Sequence, residues 1–385
     1  MPEAVIVDTI RTPIGRAFKG SLIGHRPDDM GAFVIDALLD RVPDVKPEDV
    51  EEVAMGCGLP QGEQAFNLGR IAVLLSRLPD TTNGITLSRY CSSSLDAINY
   101  AASRIIAGQG HTYIAAGVEA VSHYNEQQEA AGTQHQNAKL DGQEGRVDAY
   151  IGMGFTAVNV AKKYGVARED MDRYAQRSQE LAVASQESGF FDREIVPIPG
   201  PDGNEVGKDD GPRASSTYEK LSELDEAFGG GGVTAGNSCP LNDGAAAVMV
   251  MSAERAAALG LKPRARIVTS AHGGLEPELM GVAPISAIAK VLDRAGMTIG
   301  DVDRVELNEA FAAQVIPIMD ECGIELDKLN THGGAIALGH PFGMTGARIM
   351  GTLLNVLETD DQTVGLETMC VATGQGMATI VERMR

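Results

Sequence analysis

Two stretches decide how this chain is read: ALLDRVPDVKPEDVEEVAMG at 37–56 and KVLDRAGMTIGDVDRVELNE at 290–309. Each carries the end of an amphipathic pattern closing on Leu-Asp-Arg, then a polar turn, then Asp-Val, then an apolar run that begins at Val53 or Val305. One residue of gap aligns them. The pattern is that of a helix, a turn and a strand. An apolar strand precedes each copy, AVIVDT at 4–9 and ARIVTSAHGG at 265–274, so the ordered match extends beyond the quoted stretches. It implies a duplication covering about residues 1–118 and 265–385.

Working outward, RPDDMGAFVIDALLDRV is an amphipathic helix with Pro27 and Asp28 in its first turn, and VEEVAMGCG is a strand. CSSSLDAINYAASRIIAGQG is a helix closed by glycines, and HTYIAAGVEA is the next strand. Alternating strands and helices predict an α/β fold with helices on the faces of a parallel or mixed sheet. Between the halves the chain is polar, charged and rich in turn residues, including EQQEAAGTQHQNAKLD at 126–141. We therefore expect residues 1–118 with 242–264 as one half, 265–385 as the other, and 119–241 as an inserted loop or lid domain. The run Gly229 to Gly232 lacks the Lys-Ser/Thr of a phosphate loop and reads as a flexible connector.

Composition narrows the classes. The 385 residues are 43 % hydrophobic with 45 glycines, which suits a close-packed enzyme. A net charge of -21 argues against nucleic acid or anionic membrane as a general partner. An anionic ligand would need arginines placed locally. MPEAVIVDTIRTPIGR is neither a secretory signal nor a transit peptide, and no apolar run approaches the roughly 18 residues of a membrane span. The expectation is a cytoplasmic protein. Five widely spaced cysteines without a CxxC pair predict free thiols and neither a disulfide framework nor a metal site.

Chemistry concentrates at four places. Cys91, in RYCSSSLDAI, stands at the start of a helix, where unpaired N–H groups and the dipole end lower a thiol's pKa. Small Ser92, Ser93 and Ser94 would let a carbonyl approach it. His340, in GGAIALGHPFGMTGARIM, holds the comparable place in the second half, with Pro341 in the first helical turn, and is a candidate base. Cys370 ends a strand and enters a glycine-containing loop. Asn308 ends a strand before a helix.

The segments RTPIGR, CSSSL, TAGNSCPLNDGAAA, NEAFA, GGAIALGHPFGMTGAR and MCVATGQG occur in the order and spacing of the thiolase family, over essentially the whole chain. This resemblance implies two duplicated βαβαβαββ halves in a five-layered α-β-α-β-α arrangement, with a loop domain over the site. It implies an acyl-CoA:acetyl-CoA C-acyltransferase that cleaves 3-ketoacyl-CoA, or condenses in reverse, and assembles as a homodimer or homotetramer. Cys91 matches the acylated nucleophile. His340 matches the residue that activates it and helps bind the thioester oxygen. Cys370 matches the acid–base thiol, and Asn308 the holder of an oxyanion-hole water. The backbone N–H of Ala372, with that of Cys91, matches a second oxyanion site. Arg213, Ser238, Cys239, Met153, Ala310 and Phe311 match positions that bind coenzyme A or line the acyl pocket. No metal or redox cofactor is implied; coenzyme A and acyl-CoA are substrates.

The sequence departs from the family's pattern in three places. Ala372 and Thr373 stand where many members have glycines, Cys239 where many have serine, and Gly152 where the biosynthetic branch has histidine. Two other readings keep the fold. A decarboxylating condensing enzyme of the ketoacyl-synthase type needs a second histidine where Cys370 stands, with His332 the nearby alternative. A non-catalytic acyl-CoA or lipid-binding homologue would have lost Cys91, His340 or Cys370.

Overall fold

The computed structural model describes residues 2–124, 136–143, 147–200 and 203–385. Residues 125–135, most of the polar segment noted above, lie outside the described residues.

The first half contributes β1 (Ala4–Arg11), α1 (Pro27–Arg41), β2 (Glu52–Gly56), α2 (Leu68–Leu75), β3 (Asn83–Leu87), α3 (Ser93–Ile106) and β4 (Thr112–Ala120). Next come α4 (Met153–Tyr164), α5 (Arg168–Glu187) and β5 (Asn242–Ser252). The second half contributes β6 (Ala265–Gly274), α6 (Pro284–Ala295), β7 (Arg304–Leu307), α7 (Ala312–Cys322), α8 (Thr345–Thr359), β8 (Val364–Val371) and β9 (Gln375–Arg383). The helix read from the first quoted stretch is α1, with Pro27 at its start and Arg41 in its last turn.

The duplication is visible in the sheet. The strands run β3-β2-β4-β5-β1, then β6-β9-β8-β7. In the first half β2 pairs parallel with β3 and β4, and β5 lies antiparallel between β4 and β1. In the second, β7 pairs parallel with β8, and β9 lies antiparallel between β8 and β6. A parallel bridge from Val305 to Leu329 stands where β3 stands in the first half. Within the sheet, the described residues of the two halves meet through two register pairs, Val5 with Arg266 and Ile6 with Ala265.

Period-two alternation then builds five layers. Val53 and Met55 face α1 and α2 in one apolar cluster, whereas Ala54 between them joins the cluster around α3 and α8. Met369, Met377 and Val381 from the second half enter that same central cluster. Leu366 and Ile380 face outward to α6 and α7. The two central helices approach closely because Gly346 has no side chain: a Cβ there would lie 2.3 Å from the Leu95 backbone nitrogen.

The inserted segment docks through buried charges. Arg11 on β1 donates to Glu194 at 2.7 Å and to both oxygens of Asp209 at 2.7 and 2.9 Å. Glu309, just past β7, accepts from Tyr174 (2.8 Å) and Ser178 (2.6 Å) of α5, and from Asn330 Nδ2 (2.9 Å). The run at 229–232 is a folded turn, not the loose connector expected. Ala227 N donates to Val233 O (2.9 Å), and Gly231 sits against Val158 of α4.

Candidate active site

Cys91 lies in a single 3₁₀ turn, Tyr90–Ser92, immediately before α3, and the residue ahead of it, Tyr90, takes φ +44°. That left-handed backbone is costly for a tyrosine, and Cys91 lines a cavity of about 470 Å³. Leu59, Pro60, Tyr90, Tyr124, Met153 and Phe342 give it an apolar wall, and Ala372 and Thr373 close it beside Cys91. Gln136, Tyr150 and Ile151 come from the inserted segment.

The expected lowering of the Cys91 pKa is reversed. Burial pushes the thiol well above its ordinary range, and the neighbouring Cys370 and Cys239 sulfurs act in the same direction. The N–H groups of Ala372 and of Cys91 itself pull the other way. Desolvation of a thiolate outweighs one turn of helix dipole here. Cys370 and Cys239 thus stand close enough to Cys91 to act on its charge.

The serines also serve differently from expectation. Ser94 Oγ accepts from Ala347 N at 2.9 Å, which caps the buried first turn of α8 from the opposite half. Ser93 Oγ accepts from Arg89 N (2.9 Å) and donates to Tyr90 O (2.6 Å), holding the turn itself. None of the three is on the cavity wall, and all are fully buried.

His340 is not in a helical turn. It follows the four-residue helix Ala335–Leu338 and precedes α8 by five residues, so Pro341 lies outside the helix. What fixes it is a set of side chains. Its backbone N–H donates to Asn242 Oδ1 (3.0 Å), Nδ1 lies 2.7 Å from Thr345 Oγ1, and Nε2 lies 3.3 Å from Asn308 Nδ2. Thr345 Oγ1 gives its own proton to Pro341 O at 2.8 Å, so toward the ring it can only accept. Nδ1 therefore carries the hydrogen, and Nε2 presents a lone pair. Burial lowers the imidazole to about 3, aided by the charge of Arg348, so the ring is neutral.

Cys370 is the penultimate residue of β8 and fully buried. Burial pushes its thiol up to about 11, opposed by a hydrogen bond from Gln314. In the loop that follows, Thr373 takes φ +67° where a glycine would be unstrained. Its hydroxyl offsets part of that by donating to Ala372 O (2.5 Å) and accepting from Gln375 Nε2 (3.0 Å).

Cys370, Cys239 and the Ala372 N–H thus act on the Cys91 thiol, and His340 pairs with Asn308. Of the remaining expected residues, Met153 lines the cavity. Ala310 and Phe311 are buried in the core of the second half, with Ala310 O accepting from Cys239 N at 3.0 Å. Ser238 Oγ donates to Thr234 O at 2.6 Å. Cys239 is pushed up to about 12, chiefly by burial. Arg213 is exposed and outside the cavity, its guanidinium lowered by desolvation and by nearby Arg16. His332 stacks on Phe190 at 3.6 Å and bonds Ser185 at 2.8 Å, so it is not the second histidine of a ketoacyl-synthase site.

Asn242, Thr345, Gln314 and Glu119 were not singled out from the sequence. Glu119 accepts from Gly58 N (2.8 Å), Gly343 N (2.7 Å) and Gln64 Nε2 (2.6 Å), tying the cavity wall to the turn after His340. Only the position of Asn242 and Thr345 inside quoted motifs could have drawn notice to them.

Residues 4–254 match the thiolase N-terminal domain, and residues 261–383 the thiolase C-terminal domain. The chain is 43 % identical over 397 residues to a 3-ketoacyl-CoA thiolase of Shewanella frigidimarina, covering 100 % of both. It is 42 % identical over 392 residues to a 3-ketoacyl-CoA thiolase of Stutzerimonas stutzeri, covering 99 % of this chain and 98 % of that protein. The crystal structure of the Bacillus anthracis acetyl-CoA acetyltransferase superposes with a TM-score of 0.90 at 36 % identity, covering 100 % of this chain and 99 % of that one.

Proposed function

The chain belongs to the thiolase family, and on that footing we propose that it is an acyl-CoA acyltransferase acting as a 3-ketoacyl-CoA thiolase through an acyl group carried on Cys91. The observation that carries this reading is the placement of Cys91. Among the three clustered thiols it alone lines the apolar cavity, with the Ala372 N–H directed at its sulfur.

The steps follow from the groups present. Nε2 of His340 takes the Cys91 proton, and the thiolate adds to the 3-keto carbonyl, whose oxyanion meets the N–H groups of Cys91 and Ala372. The C2–C3 bond breaks, its electron pair forms the acetyl-CoA enolate, and the Cys370 thiol protonates that carbon. The enolate oxygen is met by the imidazolium N–H of His340 and by a water that Asn308 would hold. Each oxyanion donor is worth about 3 kcal/mol of barrier. Incoming CoA gives its thiol proton to the Cys370 thiolate, its sulfur attacks the acyl carbon and displaces the Cys91 thiolate, and that thiolate takes its proton back from His340, which closes the cycle. Condensation of two acetyl-CoA molecules is the same sequence in reverse.

On an acidic protein, Arg213 with Arg16 nearby provides a local positive spot for the anionic end of coenzyme A. Residues 209–213 pack against the turn before His340: a Cβ on Gly211 would lie 2.1 Å from Ala337 O. We further propose a homodimer through β3. Among the described residues that strand pairs on one side only, and the adjoining segment exposes Phe66 at 92 % with Leu74 and Leu75 half-exposed. A cytoplasmic site fits five free thiols. No helix among the described residues is long and apolar enough to cross a membrane.

The test is thiolysis across 3-ketoacyl-CoA chain lengths with free CoA. Turnover of medium or long acyl chains supports the 3-ketoacyl-CoA reading. Turnover of acetoacetyl-CoA alone would make the protein an acetyl-CoA acetyltransferase, and no thiolysis at any length would defeat the proposal.

A further inference from the structure

One buried amide has no task in the steps above. Gln314 stands in the first turn of α7 with no exposed surface. Its Nε2 lies 3.0 Å from Cys370 Sγ, within the distance of an N–H···S hydrogen bond. Its Oε1, equally buried, has no partner among the described residues. The surroundings are apolar: Phe311, Ala312, Val315, Ala378 and Ile380 share the cluster with Cys370. Behind the amide stands Gly281, where a Cβ would lie 2.9 Å from Gln314 Cβ and 3.1 Å from Oε1. The side chain therefore fits in this position only because residue 281 has no side chain.

A primary amide half-satisfied in a dry environment costs free energy, and a methionine of similar length would fill the same space without that cost. What the amide supplies and an apolar side chain cannot is a donor aimed at one sulfur. We propose that Gln314 is a positioning residue for Cys370: its N–H stabilises the Cys370 thiolate formed when the enolate carbon is protonated, and fixes the direction in which the sulfur gives and takes that proton. The inference rests on the reading of Cys370 as the acid–base thiol. Its chemistry is a hydrogen bond, so no atom is transferred to or from Gln314. The bond opposes the burial that makes a thiolate unfavourable at this place.

The experiment compares Gln314→Met, Gln314→Glu and Gln314→Asn in the full-length protein. Removing the donor should cost about 10- to 100-fold in turnover, the factor belonging to a hydrogen bond with a charged group. The Michaelis constants should stay within a few-fold, and acetylation of Cys91 by acetyl-CoA should persist. Gln314→Met also removes an unpartnered buried oxygen, so its thermal midpoint should equal or exceed the parent's. A purely structural glutamine would instead show a lower midpoint with turnover preserved. Gln314→Asn, which keeps the amide, should recover part of the lost rate, while Gln314→Glu, which offers no N–H when ionised, should not. The second readout is independent of turnover. In a Cys91→Ala background, the pH midpoint for iodoacetamide alkylation of Cys370, read by peptide mass, should rise by about one unit or more when Gln314 becomes Met. An unmoved midpoint would overturn the proposal even if activity fell. A moved midpoint together with full turnover of Cys370→Ala would leave the hydrogen bond standing and refute the acid–base reading beneath it.

Discussion

Replacing Thr345 by valine tests whether His340 works as a base through Nε2. Thr345 Oγ1 is fully buried, accepts from His340 Nδ1 at 2.7 Å and donates to Pro341 O at 2.8 Å. Valine keeps the shape and deletes both bonds. Pro341 O still receives Met344 N and Thr345 N, each at 3.1 Å, so the group left without a partner is Nδ1–H. Stranding a buried donor costs about 1–3 kcal/mol. The ring can escape that cost by moving its hydrogen to Nε2, where Asn308 lies 3.3 Å away with an Oδ1 that has no other partner among the described residues. The fold would then lose only about 1 kcal/mol. The base, however, would be occupied by its own proton, since the bond at one ring nitrogen dictates the state of the other. We expect thiolysis of Thr345→Val to fall by ~10²–10⁴-fold, the scale of a positioned base. Thr345→Ser, which keeps the hydroxyl, should remain within a few-fold of the parent. Steady-state thiolysis at saturating CoA, with thermal unfolding as the control, decides it. A valine variant turning over within threefold of the parent would refute the tautomer argument.

Three further outcomes are expected. Arg11→Ala leaves Glu194 and Asp209 buried without their cation and should destabilise the fold by about 3–5 kcal/mol in denaturant titrations. Gly346→Ala places a methyl 2.3 Å from the Leu95 backbone nitrogen and should cost about 1–3 kcal/mol or more by forcing the central helices apart, read by the same titration. Glu306, buried near Arg348 and Glu309, is raised from 4.5 to about 8. Its retained proton stabilises the fold fully below pH 4.5, and that contribution is lost as pH rises through 8. Glu306→Gln should therefore gain thermal midpoint relative to the parent as pH increases from 5 to 9; a difference that does not change with pH would contradict it.

The fold was legible where the information is local. Leu-Asp-Arg, a polar turn and an apolar run are enough to define α1–β2 and α6–β7, because each signal lies within a dozen residues of the next. The strand order repeats in the two halves because the same local units recur in the same sequence. The site was legible only as far as its residues sit at strand ends and turns: Cys91, Asn308 and Cys370 do. His340 does not, and proximity to a proline suggested a helix start that lies five residues further on. What could not be read is contact between distant parts. Ser94 reads as a small residue beside a nucleophile, but its hydroxyl is used 253 positions away on Ala347. Gln314 reads as one polar residue of an amphipathic helix, and its sulfur partner is 56 positions distant. The ionisation of Cys91 departs from expectation for the same reason, since the helix end is visible in sequence and the burial that opposes it is not.

In the proposed reaction Cys91, and neither of the two thiols beside it, carries the acyl group. Incubating the protein with acetyl-CoA, quenching in acid and mapping the peptides by mass spectrometry tests it directly. One acetyl group is expected on Cys91 in the parent, the same acetyl group on Cys91 in Cys370→Ala with turnover reduced ~10²–10⁴-fold, and none in Cys91→Ala. Acetyl found on Cys370 or Cys239 in the parent, or turnover surviving in Cys91→Ala, would contradict it.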